Sequence, residues 1–201
     1  MKPQLVVLAG PNGAGKSTFY ESFLASSRLP FLNADVLAAR TGIASQEAAR
    51  ILDEERDRMI DDGRGFITET VFSDPAGAKL AMLRKAVLAG FDVTLIYVGI
   101  ASPGLSGLRV EQRVAHGGHD VPREKLAGRF ERSLANLGAA IAFVSTVKLY
   151  DNSSVDEPYR LLAVFEAGVC ASRTSGRMPT WAATVVPVTP AGAPSRRRPK
   201  R

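Results

Sequence analysis

Apolar and polar positions fall in blocks along this chain, and the blocks predict alternating strands and helices. Gln4-Leu5-Val6-Val7-Leu8-Ala9 is a short, nearly continuous apolar run, the pattern of a buried parallel strand. Thr18 to Leu24 then predicts a helix, with Phe19, Phe23 and Leu24 on one side. Phe31-Leu32 predicts a second strand ending at Asn33-Ala34-Asp35. Ser45 is placed to cap a helix running to about Asp61, with Gly63 beyond it. Phe66-Ile67-Thr68 predicts a third strand ending at Glu69. Asp74-Pro75 has the form of a helix start, a capping acid followed by proline. That helix has Leu80, Leu83 and Val87 on its apolar side and stops at Gly90. Phe91 to Val98 predicts a fourth strand. A long helix from about Pro122 carries Leu126, Phe130, Leu134, Leu137, Ile141 and Val144 at helical spacing. Val147-Lys148-Leu149-Tyr150 predicts a fifth strand, and Tyr159 to Phe165 a sixth, antiparallel at an edge. Strands separated by helices give an α/β fold: a mostly parallel sheet with helices on both faces. Sites in such folds lie at the carboxyl ends of strands. The rule selects residues 10–17, 33–35, 69–73 and the segment after Val98.

Composition narrows the setting. A chain of 201 residues, 45% hydrophobic, suits one domain with a sizeable core. No apolar run approaches the roughly 20 residues of a membrane span, and the first residues lack a secretory pattern. The single cysteine, Cys170, excludes an internal disulfide. No membrane association and a cytoplasmic location are expected. The net charge of +6 is unevenly placed. Residues 172–201 hold seven basic residues and no acid, leaving −1 on residues 1–171. The expected organisation is a domain over 1–171 and a disordered basic tail over 172–201. Ser195 to Arg201 is either a nucleic-acid or partner contact or a solvated end. Nucleic acid is expected only through that tail.

The candidate chemistry begins at Gly10-Pro11-Asn12-Gly13-Ala14-Gly15-Lys16-Ser17, which matches G-x-x-x-x-G-K-[ST] between a predicted strand and helix. In this phosphate loop, glycines let backbone N–H groups turn inward around phosphates. Lys16 meets the β- and γ-phosphates, the Ser17 hydroxyl ligates Mg2+, and Thr18 opens the helix whose positive end faces the anion. ATP (or GTP) with Mg2+ is therefore expected. Asp35 is either the general base for an attacking hydroxyl or a cap of the following helix. Glu69 can bind substrate hydroxyls, hold a metal-bound water or sit solvated at a strand end. No strand ends in the apolar run plus aspartate of a second NTPase motif, which favours small-molecule kinases over motor ATPases. Arg109 and Arg113 lie four apart on a predicted helix. Gly117-Gly118, His119, and then Arg129 and Arg132 follow. This reads as a lid over about 102–135 that brings arginines to a transferring phosphoryl group, or else as a charged surface with a flexible turn. His116 and His119 lack a zinc-site neighbour. Asn152, after the fifth strand, is expected beside the nucleotide base.

The phosphate loop, Asn33-Ala34-Asp35, Ile67-Thr68-Glu69-Thr70, and the run from Arg113 to Pro122 together resemble the zeta toxin family, over about residues 3–168. So does Arg129 with Ser133-Leu134 and Asn136-Leu137 on the following helix. The resemblance implies a P-loop kinase fold and transfer of phosphate from ATP or GTP to the 3′-hydroxyl of UDP-N-acetylglucosamine. It further implies Lys16 and Ser17 as phosphate and metal residues, Asp35 as general base, Glu69 with Thr70 at the substrate, and Arg113 with His119 or Arg129 in the lid. An antitoxin protein is an implied partner. Asn33 stands where the family usually has an acid, and the chain is short for a sugar-nucleotide pocket. A kinase for a nucleoside, an antibiotic or a polynucleotide end keeps the same machinery. A nucleotide-gated ATPase that binds RNA or protein is the other reading.

Overall fold

The computed structural model describes residues 2–115 and 123–186. Seven strands form one sheet: β1 (Gln4–Ala9), β2 (Phe31–Leu32), β3 (Phe66–Thr70), β4 (Asp92–Gly99), β5 (Thr146–Asp151), β6 (Arg160–Glu166) and β7 (Val169–Arg173). Their order is β2-β3-β1-β4-β5-β6-β7. Pairings from β2 to β5 are parallel, and β6 and β7 are added antiparallel. The helices are α1 (Lys16–Phe19), continued by a π-helical turn Tyr20–Leu24, then α2 (Ala34–Thr41), α3 (Ser45–Asp61), α4 (Ala78–Leu88), α5 (Pro103–Ala115), α6 (Arg123–Ile141) and α7 (Thr180–Ala183).

The central strands are apolar on both faces because both faces are covered. Leu5, Val7, Leu8 and Ala9 of β1 and Val93, Leu95, Tyr97 and Val98 of β4 are fully buried. On one face the Phe19 ring meets Tyr150. On the other, the Tyr97 hydroxyl lies 3.0 Å from Ser133 Oγ of α6, and the Trp181 ring packs beside Tyr97. Strand alternation assigns these contacts, since Val98 pairs with Tyr150 and Tyr97 with Leu149. The expected P-loop kinase-like α/β architecture is the one observed.

Four expectations change. Ser45 is the first residue of α3 and not its cap; Ala44, in extended conformation, holds that place. Asp74-Pro75 does not start a helix. Gly77, at φ 73°, precedes α4, and Asp74 reaches forward to accept from the Lys79 N–H at 3.3 Å. The sixth strand is antiparallel but is not the edge. β7 pairs outside it, and its mostly exposed side chains leave no hydrophobic periodicity to read.

The largest correction concerns the tail. The domain does not stop at 171, and residues 172–186 are ordered on the body. β7 runs to Arg173, and Trp181, Ala182 and Val186 join the core. Trp181 is 3% exposed and its Nε1 donates to Asp151 Oδ1 at 3.0 Å. Gly99 makes room for it: a Cβ there would lie 2.3 Å from the indole. Pro179 does not exclude structure but immediately precedes α7. Residues 187–201, including the basic run from Ser195, lie outside the described residues.

Candidate active site

The segment from Gly10 to Gly15 leaves the carboxyl end of β1 and turns into α1. Its carbonyls accept from side chains, four of them from residues outside the loop. Pro11 O accepts from Lys16 Nζ (3.2 Å), and Asn12 O from Ser106 Oγ of α5 (2.6 Å). Gly13 O accepts from Arg109 Nη1 (3.4 Å), Ala14 O from Asn152 Nδ2 (2.9 Å) and Gly15 O from the Tyr159 hydroxyl (2.8 Å). With its carbonyls committed to surrounding side chains, the loop is set to present N–H groups on its inner side. Gly15 is required by two of these contacts. It sits at φ 88°, and a Cβ would come within 2.6 Å of Asn152 Nδ2 and 2.8 Å of the Tyr159 hydroxyl. Burial pushes the Tyr159 phenol above its ordinary pKa, which keeps it a donor.

Glu69 comes to the loop from β3, the strand beside β1, where Leu8 pairs with Glu69. One carboxylate oxygen accepts from Asn33 Nδ2 (2.8 Å) and Ser17 Oγ (3.3 Å). The other lies 3.7 Å from the buried Lys16 ammonium. Asn33 also caps α2, its Oδ1 accepting from the N–H groups of Asp35 (2.8 Å) and Val36 (3.2 Å). The cap is therefore Asn33. Asp35 is exposed in the first turn of α2, where the helix dipole favours a carboxylate. It faces two clefts. One, of about 440 Å³, is lined by Asp35, Glu69, Thr70, Asp74, Arg129 and Arg132 among others. The other, beside Ser17, is backed by the stacked rings of Tyr20 and Phe31.

The floor of the first cleft is held from α6. Ser133 Oγ donates to Val71 O (2.9 Å), Asn136 Nδ2 to Phe72 O (3.0 Å) and Arg132 Nε to Ser73 O (2.9 Å). Phe72 is fully buried at φ 60°, a strained conformation that these bonds stabilise. Thr70 Oγ1 accepts from the Phe72 N–H at 3.0 Å.

The family model described as an AAA domain matches residues 5–135. The chain belongs to the AAA domain family. Among solved structures, this AAA domain protein is similar to a chain of the AvrRxo1-ORF1:AvrRxo1-ORF2 complex with sulphate ions. The TM-score is 0.63 at 17% identity, over 85% of this chain and 60% of that one. It is similar to a chain of the PezAT chromosomal toxin–antitoxin system of Streptococcus pneumoniae, with a TM-score of 0.60 at 15% identity, over 81% and 71%. It is also similar to a chain of the Pnkp1/Rnl/Hen1 RNA repair complex, with a TM-score of 0.54 at 13% identity, over 89% and 53%. At these identities the likeness is one of fold, and the chain spans 60% of the AvrRxo1 chain it matches. No curated protein matches in sequence.

The expected site residues fall into three groups. Residues 10–18, Asp35, Glu69, Thr70 and Arg129 gather at the carboxyl ends of β1, β2 and β3. Asn152 is near, and its amide donates to Ala14 O, which supports the loop from behind. Arg113 lies on α5 with its side chain outside what is described, and His119 lies outside the described residues. Ser106 and Tyr159 were not anticipated as site residues. Each acts on a backbone carbonyl, a role with no motif. No helix among the described residues is long and apolar enough to cross a membrane.

Proposed function

We propose that this AAA domain protein is a nucleotide-dependent phosphotransferase that moves the γ-phosphate of ATP or GTP to a hydroxyl of a small acceptor. The observation that carries the reading is the loop 10–17 with its four carbonyls from Asn12 to Gly15 held by distant side chains, beside Glu69. The inner N–H groups and Lys16 bind the phosphates. The Ser17 hydroxyl and the Glu69 carboxylate are hard oxygen donors suited to Mg2+, and no cluster of three or more His, Cys, Asp or Glu exists among the described residues. That donor set fits a metal held by one or two side chains and substrate phosphates. Mg2+, when bound, neutralises phosphate charge. Lys16 now pairs with Pro11 O and Glu69, both of which a triphosphate would replace. Asp35 takes the proton of the acceptor hydroxyl, and Glu69 orients that hydroxyl. Arg113 of α5 brings charge to the phosphoryl group during transfer.

UDP-N-acetylglucosamine is the acceptor implied by the resemblance to zeta toxins. A neutralising partner protein belongs to the same reading. The test is transfer from γ-labelled ATP to a panel of hydroxyl compounds, with titration of ATP·Mg2+ alongside. Lys16→Ala is expected to abolish both. Normal ATP affinity and transfer in a folded Lys16→Ala variant would sink the assignment.

A further inference from the structure

One cation in the cleft beside Glu69 has no protein partner among the described residues. Arg129 of α6 is half-buried and makes no hydrogen bond or ion pair. The neighbouring cations are already engaged. Arg56 bonds Thr68 Oγ1 (2.8 Å) and Asp53 (2.5 Å), Lys79 pairs with Asp53, and Arg132 holds Ser73 O. A half-buried guanidinium left without a partner at the wall of a cleft suits an anionic group of a ligand.

We propose that the acceptor is a compact anionic polyol, a sugar acid or sugar phosphate. This rests on the phosphotransferase reading above. A carboxylate or phosphate group pairs with Arg129, and a hydroxyl lies at Asp35 beside Glu69. Carboxylates accept and cannot donate, so Asp35 and Glu69 at the same cleft call for hydroxyl donors. The single unengaged arginine calls for an anion. A volume of about 440 Å³ lies toward the lower end for small-molecule pockets. In the transfer, the acceptor oxygen forms a bond to the γ-phosphorus. The bond to the β–γ bridging oxygen breaks, its electron pair leaves with ADP, and the hydroxyl proton passes to Asp35.

The experiment uses the full chain and labelled ATP. Acceptors are aldonates and sugar phosphates, their neutral parent polyols, nucleosides, UDP-N-acetylglucosamine and a 5′-hydroxyl RNA. Anionic polyols should exceed their neutral parents in kcat/KM by about 100-fold, as expected when a half-buried guanidinium loses a charge-assisted pair. Arg129→Gln should raise the acceptor KM by roughly tenfold or more and leave the KM for ATP unchanged, with Arg129→Lys recovering part of the loss. Preference for a neutral polyol, nucleoside, sugar nucleotide or RNA end overturns the proposal, as does transfer to no anionic polyol. A rise in the KM for ATP in Arg129→Gln also overturns it, since Arg129 would then belong to the nucleotide. Failure of the wild type to bind ATP·Mg2+ is a separate result, which removes the phosphotransferase reading itself.

Discussion

Asn33 does two jobs that no single acid could do. Its oxygen caps α2 and its amide donates to Glu69 at 2.8 Å. Aspartate would cap equally well but would set a second negative charge against Glu69. Asn33→Asp should therefore keep α2 and weaken the site. Its loss of melting temperature relative to wild type should be largest at neutral pH. The deficit should shrink as pH falls through the carboxylate range, because repulsion raises the carboxyl pKa values in the folded state and that penalty vanishes on protonation. A pH-independent deficit would show that the lost donor, not the added charge, matters. Asp35 invites the complementary test. It has no capping duty, so Asp35→Asn should leave melting temperature and ATP affinity nearly unchanged while transfer falls by on the order of 10²–10⁴. Retention of wild-type transfer would place the base elsewhere. The position of Asp35 after a short strand was readable from the chain. Its release from capping was not, because the choice between Asn33 and Asp35 turns on which residue the backbone leaves extended before the helix.

At the scale of elements, the phosphate loop is clasped between two segments distant in sequence. α5 supplies Ser106 and Arg109 from one side, and Asn152 with Tyr159 closes the other. Tyr159 holds a left-handed φ of 53° to do so, a strain of order 1–3 kcal/mol that packing against Phe19 and Phe23 helps offset. Tyr159→Phe keeps the ring contacts and removes the bond to Gly15 O. ATP·Mg2+ affinity should fall about fivefold, the equivalent of one neutral hydrogen bond at roughly 1 kcal/mol, with melting temperature little changed. Affinity equal to wild type would mean that the loop holds its shape alone. The loop itself was legible because strand, glycine-rich turn and helix occur in order along the chain. The clasp was not, since its donors lie about 90 to 140 residues away and bond to backbone, where neither residue type nor spacing is constrained.

For the whole molecule, the instructive failure is the segment after Ala171. Proline, alanine and threonine with basic residues and no acid argue for disorder, and that composition outweighed the apolar Trp181, Ala182 and Val186, which join the core. Trp181 fills the space that Gly99 leaves open, and its indole donates to Asp151. Asp151 also accepts from Ser153 Oγ at 2.6 Å, and Asn152 between them reaches the phosphate loop. The end of the described chain is thus two residues removed from the candidate nucleotide site. A long-range fit of one ring into one glycine gap carries no periodicity, which is why the central sheet was readable and this strap was not. Trp181→Ala should cost about 3–5 kcal/mol, the range for deleting a large buried aromatic. Gly99→Ala should displace the same ring from the other side. Truncation after Ala171 removes β7 and the strap together and should lower the melting temperature further than either. If the strap also steadies Asp151 and Asn152, ATP·Mg2+ affinity of Trp181→Ala should fall at temperatures where the variant is fully folded. Calorimetry and nucleotide titration on the same samples separate the two effects. Lost stability with unchanged affinity makes the strap a staple of the fold alone, and lost affinity in folded protein makes it part of the site.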